Sequence, residues 1–234
     1  MGNQSKNTAE IDPFSGRIVV GMDGSDGSLK AAQWAVGEAK VRGRGITLAY
    51  SVMATTASSA FGMSVPPRLD LIDDLRHGAV EDLTRIAADL DCTDVQVAVD
   101  IGTPQALLLA ASDTAELIVL GSRGRGGFTA LLLGSVGSQV TSHANCPVIV
   151  MRQDPRTGSN EIIVGLDGSE HSLAALDFAF DEASRHGFKI VAVHAWDVPS
   201  FDLIITSDGP VPLPLDHVAD DEIRLAAEIL AGYT

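Results

Sequence analysis

Basic residues, aromatic residues and long apolar runs are all scarce in this sequence of 234 residues. Lysine and arginine together number 16 against 31 aspartate and glutamate residues, so the formal net charge is −15. A chain this acidic repels a phosphate backbone, which argues against broad nucleic-acid binding. No apolar run approaches the roughly 18 residues that a membrane-spanning helix needs. We therefore expect neither a nucleic acid nor a membrane as a partner.

Cysteine, paired histidine and targeting signals are scarce as well. Cys92 and Cys146 stand in dissimilar contexts, which predicts reduced, partly buried thiols rather than a disulfide framework. The six histidines are scattered without the spacing of a metal site. The polar N-terminus lacks the apolar core of a signal peptide. Together with 45% hydrophobic residues, these absences predict a packed, cytoplasmic, globular protein without a metal site.

The most informative feature is an internal repeat. Residues 18–25, IVVGMDGS, recur as residues 162–169, IIVGLDGS, 144 positions further along the chain. A period this long indicates two copies of one domain rather than a solenoid of short repeats. We predict a disordered tail over residues 1–16, a first domain over 17–151, a linker over 152–160 and a partial second domain over 161–234.

Strand and helix patterns alternate along the first copy. Short β-branched runs predict five strands, near residues 17–22, 46–52, 95–99, 116–120 and 147–151. Ser25 or Ser28 can cap the first helix, and Gly43 can end it. Near-continuous apolar strands separated by helices predict an α/β fold, with a parallel sheet covered on both faces. Such open sheets bind ligands at the carboxyl ends of their strands.

A glycine-rich segment follows the fourth predicted strand. Its residues are Gly121, Ser122, Arg123, Gly124, Arg125, Gly126 and Gly127, and Gly134, Ser135 and Val136 follow after an apolar stretch. Gly121 and Gly124 allow positive φ and lack Cβ atoms, so successive N–H groups can converge on an anion. Gly134 and Ser135 are expected to open a helix whose N-terminus favours a phosphate. A flexible glycine turn with a capping serine is the alternative interpretation.

Electrostatics add to the prediction of an anion site. Arg123 and Arg125 place two positive charges in a very acidic chain, which would attract a polyanion to this segment. The P-loop pattern ending in Gly-Lys-Ser/Thr is absent, and so is a strand-linked Gly-x-Gly-x-x-Gly. These absences argue against an ordinary P-loop NTPase and against a dinucleotide dehydrogenase.

Asp23 and Asp167 each follow the first strand of their own copy. A carboxylate at such a position either stabilises the N-terminus of the next helix, by about 0.3–1 kcal/mol, or accepts hydrogen bonds from ribose hydroxyls. Considered alone, the two interpretations are balanced. Because a phosphate-binding segment is predicted on the adjacent strand, we favour the ribose interpretation for Asp23.

These features resemble the universal stress protein family, specifically its tandem-domain, nucleotide-binding branch. The resemblance rests on the opening at residues 18–25, the close CPVIV at residues 146–150, and the pattern G-x2-G-x9-G-[S/T] that starts at Gly121. It implies an open five-stranded parallel sheet of order 3-2-1-4-5 that binds ATP, with Mg²⁺, often without appreciable turnover.

The resemblance also assigns site residues. It implies that Gly21 and Asp23 line the adenosine, with Asp23 on the ribose, and that the end of the second strand at Ser51 offers backbone groups to the adenine. Gly121 through Gly127 would wrap the phosphates, and Gly134, Ser135 and Val136 would close the site.

The second copy matches only the adenosine side of the pattern, through Gly165, Asp167 and Ala195. Its phosphate segment would begin near residue 265, beyond Thr234. We therefore expect a truncated second domain that cannot hold a triphosphate as the first can. Its sheet should expose apolar surface that a partner chain covers.

The sequence thus predicts an ATP-binding regulator of stress response or growth that forms a homodimer and is not an enzyme, with little or no hydrolysis. A nucleotide-free dimerisation or interaction module of the same fold is the alternative. A third possibility, an adenylating enzyme of similar fold, would need a Ser-Gly-Gly-x-Asp-Ser-like loop that residues 21–26 do not supply.

Overall fold

The chain divides into two compact units, Met1–Pro155 and Arg156–Thr234. The computed structural model describes residues 12–53, 57–58, 64–65, 69–122, 124, 133–152, 160–195, 203–206, 209–212, 224 and 227. Four residues of the predicted site, Arg123, Arg125, Gly126 and Gly127, lie outside the described residues. Most of the predicted tail and linker lies outside them too.

The elements of the first unit alternate between strand and helix, apart from one short hairpin. They are β1 (Ile18–Gly21), α1 (Asp26–Arg42), β2 (Ile46–Val52), β3 (Ala57–Ser58), β4 (Ser64–Val65), α2 (Leu69–Asp89), β5 (Val95–Ile101), α3 (Pro104–Ala111), β6 (Leu117–Gly121), α4 (Ser135–His143) and β7 (Val148–Met151). Those of the second unit are β8 (Glu161–Leu166), α5 (Glu170–His186), β9 (Lys189–His194), β10 (Leu203–Thr206) and β11 (Gly209–Pro212).

Five strands of the first unit form one parallel sheet of order β5-β2-β1-β6-β7. Counted among these five strands alone, this is the predicted order 3-2-1-4-5, so the predicted fold class is confirmed. The strand order switches direction at β1, whose neighbours are β2 and β6. The ends of β1 and β6 therefore lie side by side at the edge where open sheets bind ligands.

Helices cover both faces of this sheet. Right-handed crossovers place α1 and α2 on one face and α3 and α4 on the other. Residues 18–20 of β1 are fully buried, as expected for a central strand covered on both sides. On the α3 side, Val19 and Ala49 share one buried cluster with Leu107 and Leu108.

The ends of the helices follow the sequence signals. Ser28 N–H donates to Ser25 Oγ at the start of α1 (3.3 Å), and Ala106 N–H donates to Thr103 Oγ1 at the start of α3 (3.3 Å). Gly43 ends α1 in the left-handed conformation, with φ of 63°. Gly134 is the N-cap of α4 and offers its first turn no side-chain hydrogen bond. The prediction that Gly134 and Ser135 open this helix is confirmed.

The predicted disordered tail needs a correction at its end. Residues 12–16 form a turn in which Thr114 Oγ1 donates to Asp12 Oδ2 (2.6 Å) and Gly16 N–H donates to Thr114 O (2.9 Å). Phe14 packs against the buried cluster beneath α3. Because this apolar contact and these hydrogen bonds hold the turn, the folded unit begins before residue 17. Residues 1–11 lie outside the described residues.

The second unit repeats the opening of the first. Strands β8 and β9 pair in parallel, from Glu161 with Lys189 to Leu166 with His194. Helix α5 is capped by Ser169 and ended by Gly187, as α1 is by Ser25 and Gly43. Strands β10 and β11 form an antiparallel hairpin. Beyond the hairpin, the structure describes only residues 224 and 227, which are helical.

The two cysteines agree with the prediction of free, partly buried thiols. Cys92 and Cys146 are free and half-buried. Burial raises the pKa of the Cys146 thiol to about 11. Within the described ranges, no helix combines the length and the apolar character that crossing a membrane requires.

Candidate functional site

The carboxyl edge of the first sheet brings two predicted groups of site residues together. Val20 of β1 pairs with Val119 of β6, and the two strands end at Gly21 and Gly121. Helix α1 begins at Asp26, just after β1, so its N-terminus lies at the same edge. Asp23 and the start of the glycine segment therefore emerge next to each other.

The closest approach between these groups is at Gly124. A Cβ atom on Gly124 would lie 2.6 Å from Asp23 Oδ2, a separation that real Cβ atoms do not tolerate. A side chain at this position would therefore displace the Asp23 carboxylate. Gly124 is itself exposed. The structure thus places the carboxylate after β1 directly beside the segment after β6, as the sequence predicted.

Hydrogen bonds fix the orientation of the Asp23 carboxylate. Its Oδ1 accepts hydrogen bonds from Ser25 N–H (3.0 Å) and Ser25 Oγ (2.6 Å). Asp23 therefore holds the turn that leads into α1, which is the structural role considered for it above. The same contacts keep the half-buried carboxylate at the edge of the sheet, where sugar hydroxyls can donate to it.

Gly121 is needed for packing, and Gly21 lies close to the side chains of the core. A methyl group on Gly121 would lie 2.7 Å from Gly27 C and 3.0 Å from Ser28 N, so glycine lets α1 approach the end of β6. The φ angle of Gly121 is not in the left-handed region, so the prediction that it supplies a positive φ is wrong. A Cβ on Gly21 would lie 2.6 Å from Leu120 Cδ2.

Ser122 and Gly134 form the neck of the glycine segment. Ser122 N–H donates to Met151 O (2.8 Å), and Gly134 N–H donates to Ser122 O (3.2 Å). The predicted wrapping of phosphates by backbone amides therefore needs correction at these two residues, because their N–H groups already serve the fold. The neck instead fixes where the segment leaves β6 and where it enters α4.

The N-terminus of α4 is held beside the end of β6 by this neck. Ser135 is exposed, and the half-buried Val136 packs against the cluster beneath α3. Among the described residues, no side chain caps this end of α4, whereas side chains cap α1, α3 and α5. Its first N–H groups and its dipole are suited to an anion. The roles of Arg123, Arg125, Gly126 and Gly127 remain predictions.

On the adenine side of the edge, the Ser51 side chain has a structural role of its own. Ser51 Oγ donates to Gly102 O (2.7 Å), so this buried hydroxyl ties β2 to the turn after β5. The predicted use of the strand's backbone by a base remains a prediction. Sequence reasoning missed Met53 and Ile101, two apolar residues at the ends of β2 and β5 that are exposed here. The sequence signal that could have identified them is an apolar residue at the end of a strand, where a polar turn is expected to begin.

The second unit repeats the aspartate but not its surroundings. Asp167 Oδ1 accepts a hydrogen bond from Ser169 N–H (3.0 Å). The Ser169 hydroxyl, followed by that N–H and the Ser172 side chain, holds the pKa of the exposed Asp167 at about 2. A Cβ on Gly165 would find no atom within 4 Å, in contrast to Gly21.

The ends of β8 and β9 are joined by a histidine that sequence reasoning left without a role. His194 Nδ1 donates to Leu166 O (2.6 Å), and Ala195 follows it, exposed. In the part of the second unit that the structure describes, no glycine segment lies beside Asp167. Asp167 and Ala195 therefore lie at the ends of paired strands in the second unit. No described segment faces Asp167 as Gly124 faces Asp23 in the first unit.

Comparisons with known proteins give one consistent result. The sequence model of the Universal stress protein family matches residues 15–152 and again residues 159–232. A universal stress protein of Mycobacterium tuberculosis is 36% identical over 226 residues, which cover 92% of this chain and 74% of that protein. One from Mycolicibacterium smegmatis is 32% identical over 227 residues, with the same two coverages of 92% and 74%.

A solved structure extends this similarity to the fold. The crystal structure of a universal stress protein from Archaeoglobus fulgidus matches with a TM-score of 0.61. The match covers 93% of this chain and 74% of that chain at 21% identity.

Proposed function

This chain belongs to the universal stress protein family, and from that premise we propose that its first unit binds an adenine nucleotide, ATP in particular. The bound state would regulate stress response or growth. The observation that carries the proposal is the close approach of Gly124 to Asp23, at which an added Cβ would lie 2.6 Å from Asp23 Oδ2. It brings a carboxylate suited to a sugar and a segment suited to phosphates to one point of the sheet edge.

The ribose would bind at Asp23. A carboxylate accepts hydrogen bonds from two adjacent hydroxyls, and such charge-assisted bonds are stronger than neutral ones. Because Ser25 already orients this carboxylate through two hydrogen bonds, little conformational entropy is lost when the sugar binds.

The phosphates would bind between Gly124 and the N-terminus of α4. Ser135 offers an exposed hydroxyl there, and the first N–H groups of α4 receive no side-chain cap. Arg123 and Arg125 would add positive charge. Oxygen ligands suit Mg²⁺, which keeps several waters and often binds through substrate phosphates. Because Asp23 is assigned to the ribose, phosphate oxygens and waters would supply the ligands of Mg²⁺.

The adenine would lie across the ends of β2 and β5. Met53 and Ile101 offer exposed apolar surface at this edge, and an aromatic base gains from covering such surface. Ser51 would act through the backbone of its strand, because its hydroxyl already donates to Gly102 O.

We expect this site to bind nucleotide with little or no hydrolysis. The carboxylate beside the glycine segment, Asp23, is assigned to the sugar, which leaves it badly placed to activate a water at the terminal phosphate. The output would then be conformation or association. A nucleotide would fix the glycine segment, whose neck joins the end of β6 to the start of α4.

A nucleotide-free interaction module is the second candidate. It is favoured by the exposed apolar residues of β8 and β9 in the second unit, because surface of that kind marks interaction sites. The two candidates differ in one measurable property, which is the nucleotide content of the purified protein.

The decisive experiment measures nucleotide binding directly. Small molecules released from the denatured protein are identified by mass spectrometry, and the stripped protein is titrated with ATP and Mg²⁺ by calorimetry. We expect Asp23→Ala to weaken binding about 10- to 100-fold through the loss of charge-assisted hydrogen bonds. Gly124→Ala should also weaken it, because the methyl group displaces the carboxylate.

The matched control is Gly78→Ala in α2, where an added Cβ finds no atom within 4 Å and the affinity should not change. If neither co-purified nucleotide nor binding heat is detected, the proposed function is wrong. Equal affinity in all the variants would overturn the assignment of the site residues.

A further inference from the structure

Ser122 makes two backbone hydrogen bonds that hold two different elements. Its N–H donates to Met151 O (2.8 Å), and its carbonyl oxygen accepts a hydrogen bond from Gly134 N–H (3.2 Å). Gly134 is the N-cap of α4, and Met151 is the last residue of β7. Ser122 itself is buried. One buried residue at the end of β6 therefore holds both the start of α4 and the end of β7.

The end of β7 is also the point at which the chain leaves the first sheet. Arg152, the next residue, is exposed and begins the predicted linker over residues 152–160. In the described sheet, β7 lies at the end of the strand order and pairs with β6. The register of this pair ends at Gly121 with Met151, directly before the hydrogen bond from Ser122. When that bond opens, the end of β7 and the start of the linker can leave the sheet together.

Side-chain packing joins α4 and β7 as well. Val140 of α4 is fully buried in the cluster beneath α3, and Val136 of α4 and Val148 of β7 pack against the same cluster. Closely packed side chains resist even small displacements of their neighbours. A movement of α4 away from the end of β6 therefore also disturbs the packing of β7.

We propose that Ser122 couples nucleotide binding in the first unit to the attachment of the linker. The inference rests on the proposed function, in which phosphates bind between Gly124 and the N-terminus of α4. Phosphates that contact both groups need α4 beside the end of β6, and the hydrogen bond from Gly134 to Ser122 holds it there. The nucleotide therefore binds when this bond is made, which we call the closed neck, and not when it is broken.

Linkage sets the size of the effect. A ligand that binds only the closed neck lowers the population of the open neck by a factor of about 100 when its concentration is about 100 times its Kd. Because Ser122 also holds Met151, fewer openings of the neck mean that the first residues of the linker detach less often. Linkage is reciprocal, so a force that pulls the start of the linker away from the sheet would weaken nucleotide binding by the same factor.

The first measurement is amide hydrogen exchange of the full chain by NMR, without nucleotide and with ATP and Mg²⁺ at about 100 times the Kd that calorimetry gives. We expect the exchange of Ser122 N–H to slow by about 10- to 100-fold. The internal control is Leu90 N–H, which donates to Ala87 O (3.3 Å) where α2 ends, at the opposite edge of the sheet. Its exchange should not change.

The second measurement is limited digestion with trypsin, in which mass spectrometry identifies the fragments. A protease binds the residues on both sides of the bond that it cleaves, so cleavage after Arg152 requires the end of β7 to detach. We expect nucleotide to slow this cleavage by at least about fivefold. Cleavage after Arg123 and Arg125 measures the protection that bound phosphates give directly. The two sets of fragments therefore separate the coupling from the binding.

Two substitutions at one residue test the neck itself. Gly134→Pro removes the N–H that donates to Ser122 O, but it suits the backbone, because Gly134 has a φ of −70° and proline prefers about −65°. The matched control, Gly134→Ala, keeps the N–H, and its Cβ meets no atom within 4 Å. At saturating nucleotide, we expect Gly134→Ala to keep the protection of Ser122 N–H and of the bond after Arg152. Gly134→Pro should lose most of both and bind nucleotide more weakly than Gly134→Ala.

Three outcomes would overturn the coupling. If calorimetry detects binding but Ser122 N–H and the bond after Arg152 gain no protection, the proposed function stands without the coupling. Equal protection in Gly134→Pro and Gly134→Ala would show that the neck does not carry it. If the wild-type chain binds no nucleotide, the proposed function fails as well. A folded Gly134→Pro chain that has lost binding, beside a Gly134→Ala chain that binds, supports the coupling by reciprocity. If circular dichroism shows that Gly134→Pro is unfolded, the wild-type measurements decide.

Discussion

Gly121 and Gly124 are three positions apart in one glycine-rich segment, yet a methyl group would meet different neighbours at the two sites. At Gly121 the nearest atom is the backbone carbon of Gly27, and at Gly124 it is Asp23 Oδ2. The first contact lies between two packed elements, and the second lies at the exposed mouth of the candidate site. Substitutions at these glycines should therefore change different properties.

Gly121→Ala should destabilise the fold without a direct effect on the site. Because the added methyl forces α1 away from β6, we expect the free energy of unfolding to fall by about 1–3 kcal/mol, measured by urea denaturation. The control is Gly37→Ala, where a Cβ meets open space in α1 and helix propensity favours alanine by about 1 kcal/mol. Unchanged stability in Gly121→Ala would contradict the packing role.

The sequence could predict the glycine segment but not this division of roles. Spacing shows that Gly121, Gly124 and Gly134 belong to one pattern. It cannot show that Gly121 has an ordinary φ and packs on α1, or that Gly134 N–H closes the neck on Ser122 O. Those facts depend on how closely α1 and α4 approach the sheet, which is a tertiary property.

The titration of Asp167 tests the turn that both repeats share. Because hydrogen bonds favour its charged form, the pKa of Asp167 lies at about 2 instead of 3.8. The resulting stabilisation is complete above pH 3.8 and is lost as the pH falls through about 2. We expect Ser169→Ala to raise this pKa toward its ordinary value in carboxyl NMR titrations. Ser172→Ala should raise it less, and an unchanged pKa in Ser169→Ala would contradict the assignment.

At the scale of elements, Arg17 joins the starts of three adjacent strands. Its Nε donates to Thr47 Oγ1 (3.0 Å) and its Nη2 to Ile46 O (2.8 Å), both in β2. Its guanidinium also donates to both carboxylate oxygens of Asp94, just before β5 (2.8 and 3.0 Å). The hydrogen bond from Arg17 holds the pKa of Asp94 below its usual value.

Arg17→Ala should therefore loosen the amino edge of the sheet. Loss of charged hydrogen bonds from a nearly buried side chain should lower the free energy of unfolding by about 1.5–3 kcal/mol, measured by thermal or urea unfolding. Nucleotide affinity should not change, because the candidate site lies at the opposite edge. The control, Arg85→Ala, removes an exposed ion pair with Asp82 and should change stability by less than about 0.5 kcal/mol. Equal losses of stability in Arg17→Ala and Arg85→Ala would contradict the role assigned to Arg17.

The sequence predicted those elements whose signal lies within the element itself. The central strands are continuous apolar runs, and Thr103 and Pro104 mark the start of α3 without ambiguity. The hairpin of β3 and β4 was missed because strands of two residues carry no periodicity. The turn at residues 12–16 was missed because its order comes from Thr114 and from the cluster beneath α3.

At the scale of the whole molecule, the repeat determines topology but not burial. Val19 and Ile163 occupy equivalent positions in the two repeats. The Val19 side chain is fully buried, whereas Ile163 is 71% exposed. The repeat predicted that the second copy opens as the first does, and the structure shows the same parallel strand pair and the same capped helix there. The burial of each repeated residue depends on the elements that pack on its sheet, which the repeated segment does not itself contain.

This asymmetry should make the two units unfold separately. The second unit has its own smaller cluster around Leu176, so differential scanning calorimetry should show its transition below that of the first unit. Nucleotide at about 100 times its Kd should raise the upper transition alone, by about 5–10 °C. A single transition would contradict separate unfolding of the two units. A nucleotide-induced shift of the lower transition would contradict binding by the first unit.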